Sequence, residues 1–389
     1  MSDNKNNSNN QQSRKHRRSG KNHFIDKTTP KSSIPTKSEV PSSNTEEEWH
    51  PVAWSIMVVL LVLSIILLIF AYVQYHKAAS TFEDTYMAGK NSRNVSNILK
   101  KRKPFSILLM GTDTGALGRH DKGRTDSMII ATVNPKKKTT YFTSIPRDTK
   151  VVVPGDSQPY EKINAAYTIG GPDSATDVVS KLFNVPVDFY AVVNMKGIKQ
   201  MVNAVGGVDI TPNLTFKYEG ISVKKGKTVH MNGETALQYT RMRHEDPLGD
   251  YGRQIRQRQV LEQVLQKGMK ISSASRYSEI LKSLQGNLKT NLTFDDMMTA
   301  AIQYRGATQN INESALQEDN ADVDGVSYQV APNKQLLTVS NHIRESLGLP
   351  AVSQLTSKQR KINSNKEANS EDSLFKNGNS TTKNNELAK

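Results

Sequence analysis

Large apolar side chains are nearly absent from residues 1–50, continuous from Val52 to Val73, sparse again as far as Lys103, and periodic between Pro104 and Leu349. The continuous run holds 22 residues with no charge and no proline. At about 1.5 Å per residue it crosses the ~30 Å hydrocarbon layer as a helix. Trp54, Tyr72 and Tyr75 suit the interfacial belts, and the Lys/Arg-rich residues before the run place its N-terminus in the cytoplasm. The run exceeds a signal-peptide core and no small-x-small cleavage site follows, so an uncleaved anchor is expected. Everything after it then lies outside the cytoplasm.

Beyond Pro104 the pattern alternates between strand and helix periods. Phe105–Met110 is a short apolar run closed by Gly111 and followed by a loop with Gly115, Gly118 and Gly123. Ser127–Val133 and Thr139–Ile145 read as strands around Asn134-Pro135-Lys136-Lys137, a hairpin signal. Asp173 would cap a helix through Phe183, Val187–Val193 reads as a strand, and Met195–Val205 as an amphipathic helix stopped by Gly206-Gly207. Leu237–Met242 reads as a strand and Gly252–Met269 as a helix. The expected fold class is α/β, a mixed sheet sandwiched by helices. The expected organisation is a disordered cytoplasmic tail 1–50, an anchor 52–73, a polar stalk 74–103, a folded domain 104–349 and a disordered tail 350–389.

Composition sharpens this picture in two places. There is no cysteine, which excludes a disulfide scaffold, a thiol nucleophile and any thiolate metal site. The net charge is +15, yet it is uneven: between residues 100 and 150 twelve Lys or Arg face four Asp, and five Arg fall between Arg241 and Arg258. The stalk's Lys100, Lys101, Arg102 and Lys103 suit anionic membrane lipid. Since the folded domain is expected outside the cytoplasm, its basic groups are not read as a nucleic-acid surface.

The chemistry-bearing residues sit at strand ends, where α/β folds place ligands. Asp113 follows the first strand, and Asp126 closes the Gly123-Arg124-Thr125-Asp126 loop just before the second. Two such carboxylates with phosphate oxygens and water make a Mg²⁺ pattern, although Asp after Gly-Thr is by itself more often turn chemistry. Arg147 lies in Ile145-Pro146-Arg147-Asp148 just past a strand, and Arg241 and Arg243, two apart, would share a strand face. Asp250 then opens a helix on which Arg253, Arg256 and Gln257 fall on one side, while Arg258 lies off it and reads as a solvated charge. Arginine in a first helical turn opposes the dipole unless an anion lies there. Two readings stay open: an anion site, or an ion-pair network with Asp148, Glu245, Asp246 and Asp250.

Six ordered motifs resemble the LytR-CpsA-Psr proteins of Gram-positive cell walls: Gly111-Thr112-Asp113, Arg124-Thr125-Asp126-Ser127-Met128, Ser144-Ile145-Pro146-Arg147-Asp148, Lys162-Ile163-Asn164-Ala165-Ala166-Tyr167, Gly206-Gly207-Val208-Asp209, and Arg241-Met242-Arg243 through Asp250-Tyr251-Gly252-Arg253-Gln254-Ile255-Arg256-Gln257. The resemblance covers about residues 104–270. It implies a membrane-anchored phosphotransferase that moves an anionic glycopolymer, wall teichoic acid in a host that makes it, from a polyprenyl-diphosphate carrier to the N-acetylmuramic acid 6-hydroxyl of peptidoglycan. It also implies that Asp113 and Asp126 bind Mg²⁺, that Arg147, Arg241, Arg243, Arg253 and Gln257 hold the diphosphate, and that the prenyl chain lies in an apolar groove whose lining the sequence leaves unassigned.

That chemistry agrees with the residues. Phosphoryl transfer needs charge neutralisation and positioning above all, and a hydroxyl nucleophile wants a base, for which Asp113, Asp148 and Asp250 are the candidates. Catalytic roles are therefore expected for Asp113, Asp126, Arg147 and Asp250. Gly226-Lys227-Thr228 imitates the end of a P-loop, but Ile221 stands where its first glycine belongs. His120 and His244 lack a second well-spaced histidine for zinc. The competing functions are hydrolysis of the same diphosphate lipids and a non-enzymatic envelope regulator or scaffold.

Overall fold

The structure, a computed structural model, describes residues 51–82, 86–87, 89, 93, 95–112, 123–271, 274–357 and 359. The expected tail 1–50, the rest of the C-terminal tail and Asp113 lie outside the described residues. The chain divides into two units, 1–61 and 62–389, and the described residues of the first are the opening turns of helix α1 (Pro51–Phe82). Within that helix the stretch Val59–His76 is long and apolar enough to cross a membrane, and its large apolar side chains from Val59 to Val73 are exposed. A helix that is apolar all round and uncovered by protein matches a bilayer span.

The second unit is organised around a six-stranded mixed sheet. Strand β2 (Thr125–Asn134) pairs antiparallel with β1 (Phe105–Thr112) on one side and β3 (Thr139–Ile145) on the other. The β2–β3 turn is held by Asn134, whose side chain accepts from the Lys136 and Lys137 N–H groups at 3.1 and 3.0 Å. After the two-stranded ribbon of β4 (Lys150–Val151) and β5 (Glu161–Lys162), helix α3 (Ala165–Phe183) leads to β6 (Phe189–Asn194), which pairs parallel to β1. Phe105–Met110 is a nearly continuous apolar run because both faces of this strand are covered. Leu108, Met110, Met128 and Ile130 meet α3 on one face. Ile107, Leu109 and Ile129 point to the other.

That second face is roofed by a series of helices. Helix α4 (Met195–Ala204) begins where Asn194 accepts from the Gly197 N–H at 2.8 Å and ends at Gly206 and Gly207, both at positive φ. Two short ribbons follow, β7 (Val208–Ile210) with β10 (Val229–Met231), and β8 (Phe216–Tyr218) with β9 (Ile221–Val223). Helices α5 (Gly233–Arg241) and α6 (Asp250–Gly268) close a satellite core around Val202, Phe216, Ala236, Tyr239 and Val260. Helix α7 (Ala274–Ser283), β11 (Leu288–Thr290) beside β6, helix α8 (Phe294–Gln303) and β12 (Asn310–Ala315) beside β3 complete this side. The hairpin β13 (Asp319–Val323) and β14 (Val326–Val330) then returns the chain to α9 (Asn333–Ser346), which packs with α3.

The α/β sandwich with a mixed sheet is as expected, but four local readings change. The segment read as a strand over Leu237–Met242 is helix as far as Arg241: Asn232 accepts from the Thr235 N–H at 3.0 Å, and Ala236, Tyr239 and Thr240 bury at helical spacing. The helix read from Asp173 starts earlier, at Ala165, and kinks at Gly170-Gly171 before Pro172. The 74–103 segment is not all stalk. Its helix α2 (Val95–Lys100) buries Ile98 and Leu99 against Phe105, Phe189 and Tyr304. The 350–389 tail starts folded, with Leu355 and Gln359 buried and the Gln359 amide donating to the Leu182 carbonyl oxygen.

Candidate active site

The β1–β2 end of the sheet, the turn after β3 and the first turn of α6 meet at one place. Asp126, second residue of β2, accepts from the Arg147 guanidinium at 2.9 Å through its carboxylate. Its backbone carbonyl oxygen accepts from Arg253 at 2.9 Å. Arg253 also pairs with Asp250 at 2.7 Å, and Asp250 accepts from the Gln254 amide at 2.9 Å. Asp148 sits between Lys162 at 3.0 Å and Arg147 at 3.7 Å. Gly249, at φ 53°, supplies the left-handed turn that admits helix α6 at this point.

Four of the expected site residues, Asp126, Arg147, Asp250 and Arg253, are thus joined by direct contacts. Gln257, one turn beyond Arg253, and Arg241, at the end of α5, line the same opening. Arg243 is exposed in the following turn. The side chains of Arg241 and Arg243 have no ion-pair or hydrogen-bond partner among the described residues, Arg243 accepting only through its backbone carbonyl oxygen from the Asp246 N–H. Positive charge is crowded here. Burial pulls the Arg253 guanidinium below its ordinary pKa, Asp250 opposes that pull, and Arg147 and Arg243 add to it. The Arg253 Nε, buried, has no hydrogen-bond partner among the described residues. A cluster short of acceptors favours an anion.

The ion-pair network reading holds for two of the arginines, Arg256 and Arg258. Arg256 does not share the Arg253 side of the helix. Its side chain is fully buried, pairs with Asp246, donates to the Tyr239 carbonyl oxygen at 3.2 Å and to that of Met242, and lies 5.5 Å from the Phe216 ring centre. Arg258 is likewise no solvated charge: it is buried and donates to Glu313 at 3.0 Å and Ser144 Oγ at 2.6 Å. These two belong to the structural network, and the loop before α6 is wrapped so tightly on it that a Cβ at Gly252 would stand 1.8 Å from the Asp246 carboxylate.

Behind the cationic opening runs a cavity of about 990 Å³. Its floor is the odd-numbered face of β1 and β2, Phe105, Ile107, Leu109, Gly111, Ser127, Ile129 and Val133, with Ala191 and Val193 of β6. Its walls come from apolar residues of α4, α6, α7 and α8, Ile198, Leu261, Leu281 and Met298 among them. Sequence reasoning left this lining unassigned, although the apolar run Phe105–Gly111 supplies Phe105, Ile107, Leu109 and Gly111 to its floor. Seen as chemistry, an apolar tunnel that opens onto guanidinium groups suits an amphiphile with an anionic head.

Fold and site together define an α/β protein that carries, among the described residues, one candidate membrane helix and an apolar cavity with a cationic mouth. The chain belongs to the LytR_cpsA_psr family, whose sequence model matches residues 69–345. It is 42% identical over 273 residues to a protein of Enterococcus faecalis named polyisoprenyl-teichoic acid–peptidoglycan teichoic acid transferase TagU, covering 70% of this chain and 89% of that one. Among solved structures it is similar to TagU of B. subtilis (36% identity, 64% of this chain and 99% of that chain, TM-score 0.52). It is also similar to TagT bound to LIIa-WTA, at 28% identity over 64% of this chain and 92% of that one, with a TM-score of 0.54.

Proposed function

We propose that this chain, an enzyme of the transferase class, moves an anionic cell-wall glycopolymer, wall teichoic acid, from a polyprenyl-diphosphate carrier to the N-acetylmuramic acid 6-hydroxyl of peptidoglycan. The observation that carries the reading is the apolar cavity ending at Asp126, Arg241, Arg253 and Gln257. The prenyl tail fills the cavity along the sheet, and the diphosphate rests at the mouth on Arg147, Arg241, Arg243, Arg253 and Gln257. Helix α1 anchors the enzyme as a single-pass membrane protein with its N-terminus in the cytoplasm and its catalytic unit outside.

In the transfer step the sugar hydroxyl oxygen attacks the polymer-side phosphorus, and the bond from that phosphorus to the bridging oxygen breaks. A phosphodiester forms and polyprenyl phosphate departs. Guanidinium groups placed in advance stabilise the charge that gathers on the phosphoryl and bridging oxygens. The hydroxyl proton passes to a carboxylate, for which Asp113, Asp148 and Asp250 are the candidates. The Asp126 carboxylate spends one oxygen on Arg147, and its donor chemistry is oxygen only, which fits a hard cation bound by one or two carboxylates and phosphate oxygens. Asp126 and Asp113 would hold Mg²⁺, which when bound neutralises diphosphate charge.

The test uses the full chain in membranes with a lipid-linked polymer donor, Mg²⁺ and peptidoglycan oligomers. Covalent polymer–peptidoglycan conjugate is the expected product. Release of free polymer with no conjugate would replace the transferase by a hydrolase of the same lipid.

A further inference from the structure

A carboxyl group outside the arginine cluster ties its two halves together. Thr149 Oγ1 lies 2.6 Å from the Pro146 carbonyl oxygen and 2.9 Å from Glu318 Oε2. A hydroxyl has one proton and a carbonyl can only accept. When the shorter contact takes that proton, Glu318 reaches the same oxygen only by donating one of its own. Its other oxygen, Oε1, is closed off from solvent without a partner among the described residues, an arrangement that penalises an ionised carboxylate.

The same residue grips the helix that carries Arg253. The Glu318 N–H donates to Tyr251 Oη at 2.9 Å, and the Tyr251 hydroxyl faces the Glu318 carbonyl oxygen at 3.3 Å. Beside it, the Gln329 N–H donates to the Asp148 carbonyl oxygen at 2.9 Å. Residue 318 therefore touches both the turn that presents Arg147 and the first turn of α6.

We propose that Glu318 is a positioning residue that works in its protonated form, holding the Arg147 turn against the Arg253 helix, and that its ionisation in mildly alkaline solution loosens the anion site. The inference rests on reading Arg147 and Arg253 as diphosphate contacts. Burial is the main cause that lifts the Glu318 carboxyl from 4.5 to about 8, and the Asp148 charge adds to it. The groups around it are Asp148 with its partners Lys162 and Arg147 on the turn, Tyr251 and Asp250 on the helix, and the neighbouring Asp319. Tyr251 is itself pushed above its ordinary value of 10.0, chiefly by burial, so it does not titrate in the same window.

The experiment measures binding of farnesyl-diphospho-N-acetylglucosamine, a diphosphate diester with no ionisation of its own near neutrality, to the full chain in nanodiscs between pH 6.5 and 9. Wild-type affinity is expected to fall by about five- to tenfold from pH 7 to pH 9, the scale of one lost hydrogen bond. Glu318→Gln, whose amide can donate to Thr149, should keep the pH 7 affinity throughout. Glu318→Ala should be weak at every pH. Parallel profiles for wild type and Glu318→Gln, or a Gln variant as weak as the Ala variant at pH 7, would overturn the proposal. If Arg147→Ala weakens binding while those profiles coincide, the Glu318 role alone is wrong. If Arg147→Ala leaves binding unchanged, the diphosphate reading falls and takes this inference with it.

Discussion

Arg256→Met separates the structural arginines from those left for a ligand. Arg256 is fully buried, its partner Asp246 is 5% exposed at the side chain, and two backbone carbonyls at the end of α5 depend on the same guanidinium. Removing one member of a buried pair leaves the other charged and uncompensated, which costs about 3–5 kcal/mol. That is a large share of the ~5–15 kcal/mol that holds a domain together. At roughly 2–4 °C per kcal/mol for a unit of this size, the melting temperature should fall by about 10 °C. Thermal denaturation of the purified full chain in detergent reads this directly. Adding Asp246→Asn should cost less than its effect alone predicts, a coupling of about 0.5–3 kcal/mol. A melting temperature unchanged in Arg256→Met, together with weakened prenyl-diphosphate binding, would refute the assignment and move Arg256 into the anion site.

Arg241→Ala should show the opposite pattern: stability within about 0.5 kcal/mol of wild type, but prenyl-diphosphate affinity reduced by roughly tenfold or more, as for a lost charged hydrogen bond; calorimetry of both properties checks it. Ala191→Phe, which places a ring in the cavity floor, should abolish binding of long-chain prenyl diphosphates while leaving binding of a short-chain analogue intact, as read by competition. Because the folded-state carboxyl of Glu318 titrates near 8 rather than 4.5, its contribution to stability is complete below about 4.5, is lost as pH rises to 8 and is flat above that. Denaturant melts across this range should therefore show a decline that Glu318→Gln removes.

How much of this was legible beforehand depends on where each residue finds its partner. The β2–β3 hairpin and the α4 helix carry their own stop signals, Asn134-Pro135 and Gly206-Gly207, and were read correctly. In Leu237–Met242 the alternation of Leu237, Tyr239 and Arg241 imitates a strand, and only the cap at Asn232 reveals the helix. Arg256 and Arg258 could not be placed from local spacing. Arg256 meets Asp246 because the loop folds back over the helix, and Arg258 meets Glu313 on a strand 55 residues later. Ile98 and Leu99 lie in a segment too polar to read as core, yet tertiary contacts with Phe105 and Tyr304 claim them. Glu318 was missed altogether, since nothing in its neighbourhood of the sequence announces that Thr149 and Tyr251 converge on it.

The cavity runs beneath β1 from Gly111 back to Phe105, about 20 Å at ~3.3 Å per residue. One leaflet of hydrocarbon is about 15 Å deep, half the bilayer core. A tail lodged along that floor would have left the membrane for a second apolar solvent, and movement between two such solvents gains little from the hydrophobic effect. Occupancy is then a partition equilibrium that the tail hardly biases, with the bilayer as the competing phase. Salt, which screens the guanidinium groups at the mouth, should therefore control loading more strongly than added isoprene units do.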